Sequence, residues 1–243
     1  MKKLSLLLLS LCLTVTCWAQ PRETDVFQTK SGKTVKITCI KHASIMMEYD
    51  GKTIYFDPVI NMEPHTDFTT WPKADYIFVT HEHHDHFDSM ALTELRRSYT
   101  VIYTNHNVYT QWGSGYVLAN GDQAEVCDNV TVEAVPAYNT TPGHEKFHPK
   151  GRDNGYVLNV EDLRIYVAGD TEDIPEMADM KDIDIAFLPC NQPYTMTPEQ
   201  LAKAAKTIKP KVLFPYHYSD TPIRKVTMLL GGSGIDVRIR RYK

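Results

Sequence analysis

Nine consecutive residues, Thr80-His81-Glu82-His83-His84-Asp85-His86-Phe87-Asp88, constrain this chain more than any other stretch. They follow Asp75 to Thr80, a mostly apolar run that predicts a short buried strand stopping at His81. Imidazoles and carboxylates at this density, next to a structured apolar flank, call for a shared cation rather than a solvated His-rich tail. On extended backbone, residues two apart point to the same side, so His81 and His83 can grip one ion. The chain is then expected to turn into a helix, which lets Asp85 and His86 face a second ion nearby. Neutral imidazoles and carboxylates suit zinc, iron or manganese. The absence of a Cys in the cluster disfavours a closed structural zinc site.

Further ligand types stand at the ends of other predicted strands. Val35 to Ile40 reads as a strand, and Ser44 to Tyr49 with Thr53 to Phe56 flank Asp50-Gly51, a two-residue hairpin turn. Ser89 to Arg97 reads as a helix with Arg96 and Arg97 in its last turn. In the second half, Gly155 to Val160 and Leu163 to Val167 flank Glu161-Asp162, Asp184 to Leu188 is a short apolar strand, and Val212 to Pro215 is another. Thr197, Pro198 and Gln200 mark the start of a helix that Pro210 stops. Asp170 follows the Ile165 to Val167 strand, and His217 follows the last one. Ligands that converge from several strand ends are how layered α/β proteins build sites. The halves also echo each other: Ile54-Tyr55-Phe56-Asp57 aligns with Ile165-Tyr166-Val167-Ala168, and Asp75 to Val79 with Asp184 to Leu188. Two similar β-rich halves packed together are expected.

The first nineteen residues read as a signal peptide, with Lys2 and Lys3 before an apolar run and Cys17-Trp18-Ala19 at the cleavage position. The expectation is export to the periplasm or beyond. A lipid on Cys17 ranks lower, because Thr16 stands where a small residue is normally needed. Residues 20–243 are expected to form one domain, with no Pro/Ser linker to divide them. That part holds Cys39, Cys127 and Cys190, an odd number that forbids a complete disulfide framework and favours buried thiols. No later segment approaches the length of a membrane span, so the mature chain is expected to be free of the membrane. A formal charge of −4, with no basic groove, argues against nucleic acid and for a small-molecule substrate. Oligomeric state leaves no trace in the sequence.

Taken together, His81-x-His83-x-Asp85-His86, Gly169-Asp170-Thr171 and the late His217 resemble the metallo-β-lactamase-fold hydrolases, in the branch that includes ascorbate-6-phosphate lactonase-like proteins. Lys41-His42-Ala43-Ser44, Phe56-Asp57-Pro58 and Leu188-Pro189 support the resemblance, which spans roughly residues 35 to 220. It implies a four-layer αβ/βα sandwich built from two similar halves. It also implies two divalent ions, zinc first, with manganese or iron as alternatives. His81 and His83 would bind the first ion, Asp85 and His86 the second, Asp170 would bridge them, and His217 would complete the second site. The third histidine of the first site is expected at His148, with His144 next in line. The branch often carries a histidine where this chain has Asn139. Asp57 would orient a ligating histidine, and His42 would lie just outside the ligands or touch substrate. His84 is expected to point outward and Tyr194 to touch substrate. His65 and His106 carry no signal. The implied activity is hydrolysis of an ester, lactone or phosphodiester by a metal-bound hydroxide, with Asp85 relaying the proton. Two other readings compete: an iron-dependent redox protein, and a metal- or ligand-binding protein without activity, which Asn139 would favour.

Overall fold

The computed structural model describes residues 22–242. The expected leader, with its cleavage point and Cys17, lies outside the described residues. The first sheet begins with an antiparallel meander of β1 (Thr24–Gln28), β2 (Thr34–Lys41), β3 (Ser44–Tyr49) and β4 (Lys52–Phe56). It continues in parallel through β5 (Tyr76–Val79), β6 (Val101–Thr104) and β7 (Tyr116–Val117). The second sheet repeats the plan. A meander of β8 (Gln123–Cys127), β9 (Val130–Ala137), β10 (Asp153–Val160) and β11 (Leu163–Val167) leads into parallel β12 (Ile185–Pro189), β13 (Val212–Tyr216) and β14 (Asp236–Val237). The echo in the sequence therefore has a physical basis, since it aligns β4 with β11 and β5 with β12, strands at the same place in each sheet.

Burial explains the layering. Ile37, Met47, Ile54 and Phe78 of the first sheet pack against Val132, Leu158, Val167 and Phe187 of the second to form the central core. The outer face of the first sheet, through Tyr55, Ile77 and Val79, takes Ala91, Leu92 and Leu95 of α1 (Ser89–Leu95) and Val108 of α2 (His106–Trp112). The outer face of the second, through Tyr166, Ala186 and Leu213, takes Leu201, Ala205 and Ile208 of α3 (Pro198–Ile208) and Val226 of α4 (Arg224–Leu229). Strands buried on both faces read as continuous apolar runs, which is why β5 and β12 were visible in the sequence. The result is a four-layer αβ/βα sandwich of two similar halves.

Local chemistry follows the expected signals in most places. Asp50 and Gly51 both take positive φ, 48° and 74°, as a tight hairpin with right-handed twist demands. Thr197 and Gln200 form a reciprocal capping box at the start of α3. One local expectation fails. The helix after the histidine cluster ends at Leu95, because Arg96 turns to extended backbone, ψ 153°. Its guanidinium lies over the Trp112 ring, and the Arg97 N–H donates to Thr100 Oγ1 instead of a helix carbonyl. Asp85 and His86 sit in a tight turn before the helix, which starts at Ser89 as expected, with Asp88 capping it through Met90 N and Ala91 N. Cys39, Cys127 and Cys190 are all free. Among the described residues no helix is long and apolar enough to cross a membrane.

Candidate metal centre

Each histidine and carboxylate singled out in the sequence occupies a strand end or the turn beyond it. His42 follows β2, Asp57 follows β4, His81 follows β5, Asp170 follows β11 and His217 follows β13. The turn from His83 to Phe87 is closed by the N–H groups of His86 and Phe87 donating to His83 O, at 2.9 and 2.8 Å. His148 comes from the loop between β9 and β10. All these elements end at the same edge of the sandwich, so residues far apart in sequence meet there.

They meet in three overlapping groups, in each of which the ligand atoms lie within 4.8 Å of one another: His81, His83 and His148; His81, His86 and Asp170; and His42, Asp85, His86 and His217. Asp170 stands between the first and third groups. One carboxylate oxygen is 3.3 Å from His148 Nε2 and 3.3 Å from His217 Nε2, and the other is 3.2 Å from His86 Nε2. Of the two alternatives for the third histidine of the first group, the structure brings His148 in and leaves His144 out. His144 Nδ1 turns to Glu172 at 3.2 Å. Asn139 does not face the cluster with its amide either, because Nδ2 donates to the carbonyls of His144 and Tyr194 and so braces the loop. His42 sits against the ligands: its Nε2 lies 3.0 Å from Asp85 Oδ2 and its ring 3.8 Å from that of His217, near enough to be grouped with Asp85, His86 and His217. The cause is backbone geometry: His42 and His217 both take positive φ, 44° and 47°, and His217 N–H donates to His42 O, which pins the two rings together.

A layer of hydrogen bonds fixes which nitrogen of each ring faces inward. Asp57 is fully buried and accepts from Thr80 N–H at 2.8 Å, from Thr80 Oγ1 at 2.7 Å and from His86 Nδ1 at 2.7 Å. Thr80 Oγ1, its proton committed to Asp57, accepts from His81 Nδ1 at 3.0 Å. One carboxylate thus sets the tautomer of two histidines and leaves both Nε2 atoms as lone pairs. Asp153 does the same for His148, accepting from Nδ1 at 2.9 Å, and is itself held by Arg152. Buried Glu172 accepts from Thr140 N–H, Thr141 N–H and His144, and so fixes the loop that carries His148. Sequence reasoning found Asp57 but missed Thr80, Asp153 and Glu172. Asp153 and Glu172 each lie within five residues of a predicted ligand, which was the only signal available.

The electrostatics show that the place suits cations. Burial alone would raise the pKa of Asp170, yet the imidazoles of His217 and His86 outweigh it and hold the carboxyl well below its ordinary range. Asp85 is likewise held down, against its burial, by His86, His217 and His42. Burial, reinforced by neighbouring imidazoles, lowers the pKa of His81 and of His83 and keeps their lone pairs free. Burial also lowers His86, His148 and His217, but the carboxylates around them prevail and raise all three, His217 to about 9. Positive charge is therefore demanded at this point. His81 Nε2, His86 Nε2 and Asp170 Oδ1 are buried with no hydrogen-bond partner, a costly arrangement unless a ligand satisfies them. Nitrogen and carboxylate donors of this kind fit divalent metal ions.

Comparison with known proteins agrees with this chemistry. The model of the β-lactamase superfamily domain matches residues 36–217, which covers most of the chain and both donor groups. The chain belongs to the metallo-β-lactamase superfamily. Within that superfamily it is similar to UPF0173 metal-dependent hydrolases, among them that of Ligilactobacillus salivarius, 34% identical over 77% of this chain and 87% of the relative. A solved structure from Parabacteroides distasonis, classed as a metal-dependent hydrolase, is 55% identical with a TM-score of 0.89, over 92% of this chain and all of that one. Igni18, a metallo hydrolase from the archaeon Ignicoccus hospitalis, is 26% identical with a TM-score of 0.72, over 85% of this chain and 95% of its own. This member of the superfamily is a metal-dependent hydrolase.

Proposed function

We propose that the protein hydrolyses an ester or lactone of small-molecule size, with two divalent ions, zinc first, held by His81, His83 and His148 on one side and Asp85, His86 and His217 on the other, Asp170 lying between. The observation that carries this reading is the set of buried, partnerless Nε2 and carboxylate atoms that meet below an open chamber of about 410 Å³. When bound, the ions lower the pKa of water towards neutrality and polarise the oxygen under attack.

The chain's own groups do the rest. Asp57, Thr80 and Asp153 hold the ring nitrogens in the correct tautomer, so no reorganisation is needed during the reaction. Asp85 is the only carboxylate of the cluster with part of its side chain open to the chamber, 20% exposed against 3% for Asp170. Its Oδ2 can accept the proton that the attacking water loses and pass it on to the leaving oxygen, and His42 Nε2, 3.0 Å away, steadies that oxygen. Phe147 and Tyr194, packed edge to face at 4.9 Å, form part of the chamber wall and limit the water that enters.

The test is metal-loaded protein against a panel of lactones, carboxylic esters and phosphodiesters, with His81→Ala and Asp170→Asn beside the parent. Turnover that both substitutions abolish supports the reading. A folded, metal-loaded parent with no turnover on the panel refutes it and leaves a metal-binding protein. Metal analysis with an optical spectrum decides between zinc and the iron-dependent redox alternative. Export remains part of the proposal: N-terminal sequencing of mature protein from the native cell should read from Gln20.

A further inference from the structure

The chamber above the metal centre does not end at the histidines. His42, Met62 and Ser219 line it, and the same three residues line a second chamber of about 410 Å³ on the far side of His42. Its remaining walls are largely apolar: Pro64, Tyr218 and Tyr242. The two tyrosine hydroxyls are engaged elsewhere, Tyr218 donating to Arg240 O at 2.6 Å and Tyr242 to Cys39 Sγ at 3.3 Å. They therefore offer ring surface rather than hydroxyl groups. The opposite wall is preformed. The buried Lys41 ammonium donates to the carbonyls of Ile60, Met62 and Pro64, at 2.7, 2.7 and 3.0 Å, and so fixes the loop that carries Met62.

Charge narrows the occupant further. Among the described residues, no Lys or Arg lines either chamber, and Lys41 spends its donors on loop carbonyls. The ionisable groups that do line the second chamber, besides His42, are the carboxylates Glu63 and Asp220. A phosphate or sulfate group seated in the second chamber would need cationic forks or point charges to replace its water, and the walls there offer carboxylates instead. An apolar chain needs only ring faces and a thioether.

We propose that the substrate is an uncharged ester or lactone with an apolar substituent of several carbons, which fills this second chamber while the bond to be cleaved lies over the metal centre. The proposal rests on the hydrolase reading for the position of that bond. Its own content is the apolar second chamber and the exclusion of a phosphorylated substituent from it.

Equilibrium binding separates the two claims. Acetyl, butyryl and hexanoyl hydroxamates share one metal-seeking head, so calorimetric titration of metal-loaded protein with the series reports the tail alone. Each methylene buried should tighten binding by up to about fourfold, so hexanoyl should bind between about 10- and about 250-fold tighter than acetyl. A negative heat-capacity change should grow along the series. Met62→Trp, which narrows the shared wall, should remove most of that gain, and Met62→Leu should keep it. Equal affinities along the series, or tighter binding of a hydroxamate whose six-carbon tail ends in phosphate than of the hexanoyl compound, would overturn the proposal, and the parent protein suffices for both results. Tail-dependent binding with no hydrolysis of any ester or lactone would sink only the hydrolase reading. Hydrolysis without tail dependence would sink only the second chamber.

Discussion

Replacing Asp57 by Asn tests the hydrogen-bond layer without moving the backbone. Asp57 takes φ 43°, a left-handed conformation that Asn tolerates as readily as Asp, so local strain stays the same. What changes is the direction of a proton chain. In the parent, His81 Nδ1–H donates to Thr80 Oγ1, whose own proton goes to Asp57, and His86 Nδ1–H donates to the same carboxylate oxygen. An Asn with Oδ1 kept towards Thr80 N–H must place its NH₂ where that oxygen was. Thr80 Oγ1 then accepts and must donate to His81 Nδ1, while His86 Nδ1 must accept. Both rings are driven to the tautomer with hydrogen on Nε2, which blocks the metal-facing nitrogen of each. The flipped amide avoids this but sets NH₂ against Thr80 N–H, leaving a buried donor unpaired at a cost of about 1–3 kcal/mol. Either route should weaken metal binding about 10- to 100-fold, which is about 1.4–2.7 kcal/mol. Competition with a chromophoric zinc chelator reads the loss directly, and thermal unfolding of the metal-free protein checks that the variant folds. Zinc affinity within twofold of the parent would show that Asp57 does not govern the ring nitrogens.

Other perturbations read separate parts of the structure. His148→Ala should lose about one metal equivalent per chain by elemental analysis while His144→Ala keeps both, and the reverse outcome would overturn the assignment of the loop histidine. Burial pushes the Cys39 and Cys190 thiols up to about 12, so a disulfide reagent at pH 8 should leave both untouched in folded protein that starts at Gln20; Cys127, half-buried and also raised, is the one thiol expected to react before unfolding. Hydrogen bonds from Ser31, Tyr49 and Thr29 hold Glu161 at about 2, below its ordinary value of 4.5, so its stabilisation is present above pH 4.5 and fades as pH falls through 2. In metal-free protein, Glu161→Gln should therefore lower the melting temperature near neutrality and converge on the parent at acid pH, and parallel profiles would refute the linkage. Gly169→Ala would place a Cβ 2.6 Å from Asn154 O at φ 65°, so a loss of about 2–4 kcal/mol of stability is expected from denaturant titration, and a neutral change would contradict the packing.

How much of the site the sequence reveals depends on the range of the interaction concerned. The ligand motif from His81 to His86 is local, and so is the apolar strand before it. Both were legible because a buried strand and a dense donor cluster leave compositional marks. Asp57 and Asp170 were legible through strand ends. The placement of His42 was not, because it depends on the His217 N–H to His42 O hydrogen bond, which joins the ends of β2 and β13, distant in the chain. His148 could be placed ahead of His144 because its segment leads directly into β10, but the partners that enforce the choice were hidden: Glu172 captures His144 and Asp153 orients His148. The start of α1 at Ser89 was legible but its end at Leu95 was not, for a related reason: Arg96 leaves the helix for the face of Trp112, a partner on another element.

The positive-φ residues show what assembling such a site requires. Asp57, Gly169 and His217 each lie directly after a strand or one residue beyond its neighbour, and each takes a left-handed turn, with φ of 43°, 65° and 47°. A strand that ran straight on would carry its last side chain outward past the edge of the sandwich. The left-handed turn redirects the chain inward, towards the opposite sheet. Non-glycine residues at such angles cost of order 1 kcal/mol each and persist only where the surroundings over-determine them. At Asp57 the surroundings are three hydrogen bonds to one buried carboxylate. At His217 they are the backbone bond to His42 and the carboxylates of Asp85 and Asp170. Part of the chain's backbone strain thus sits at the edge where the ligands meet. The groups that offset it are the same ones that set ring tautomers and concentrate negative charge. A cation bound there would add to that offset, so metal-loaded protein should be held together most strongly along this seam, and hydrogen exchange at the amides of Thr80, His86 and His217 should slow on metal addition more than at the far hairpin of Asp50 and Gly51. Equal slowing at both ends would mean that the strained turns are stable without the ion and that their cost is met by packing alone.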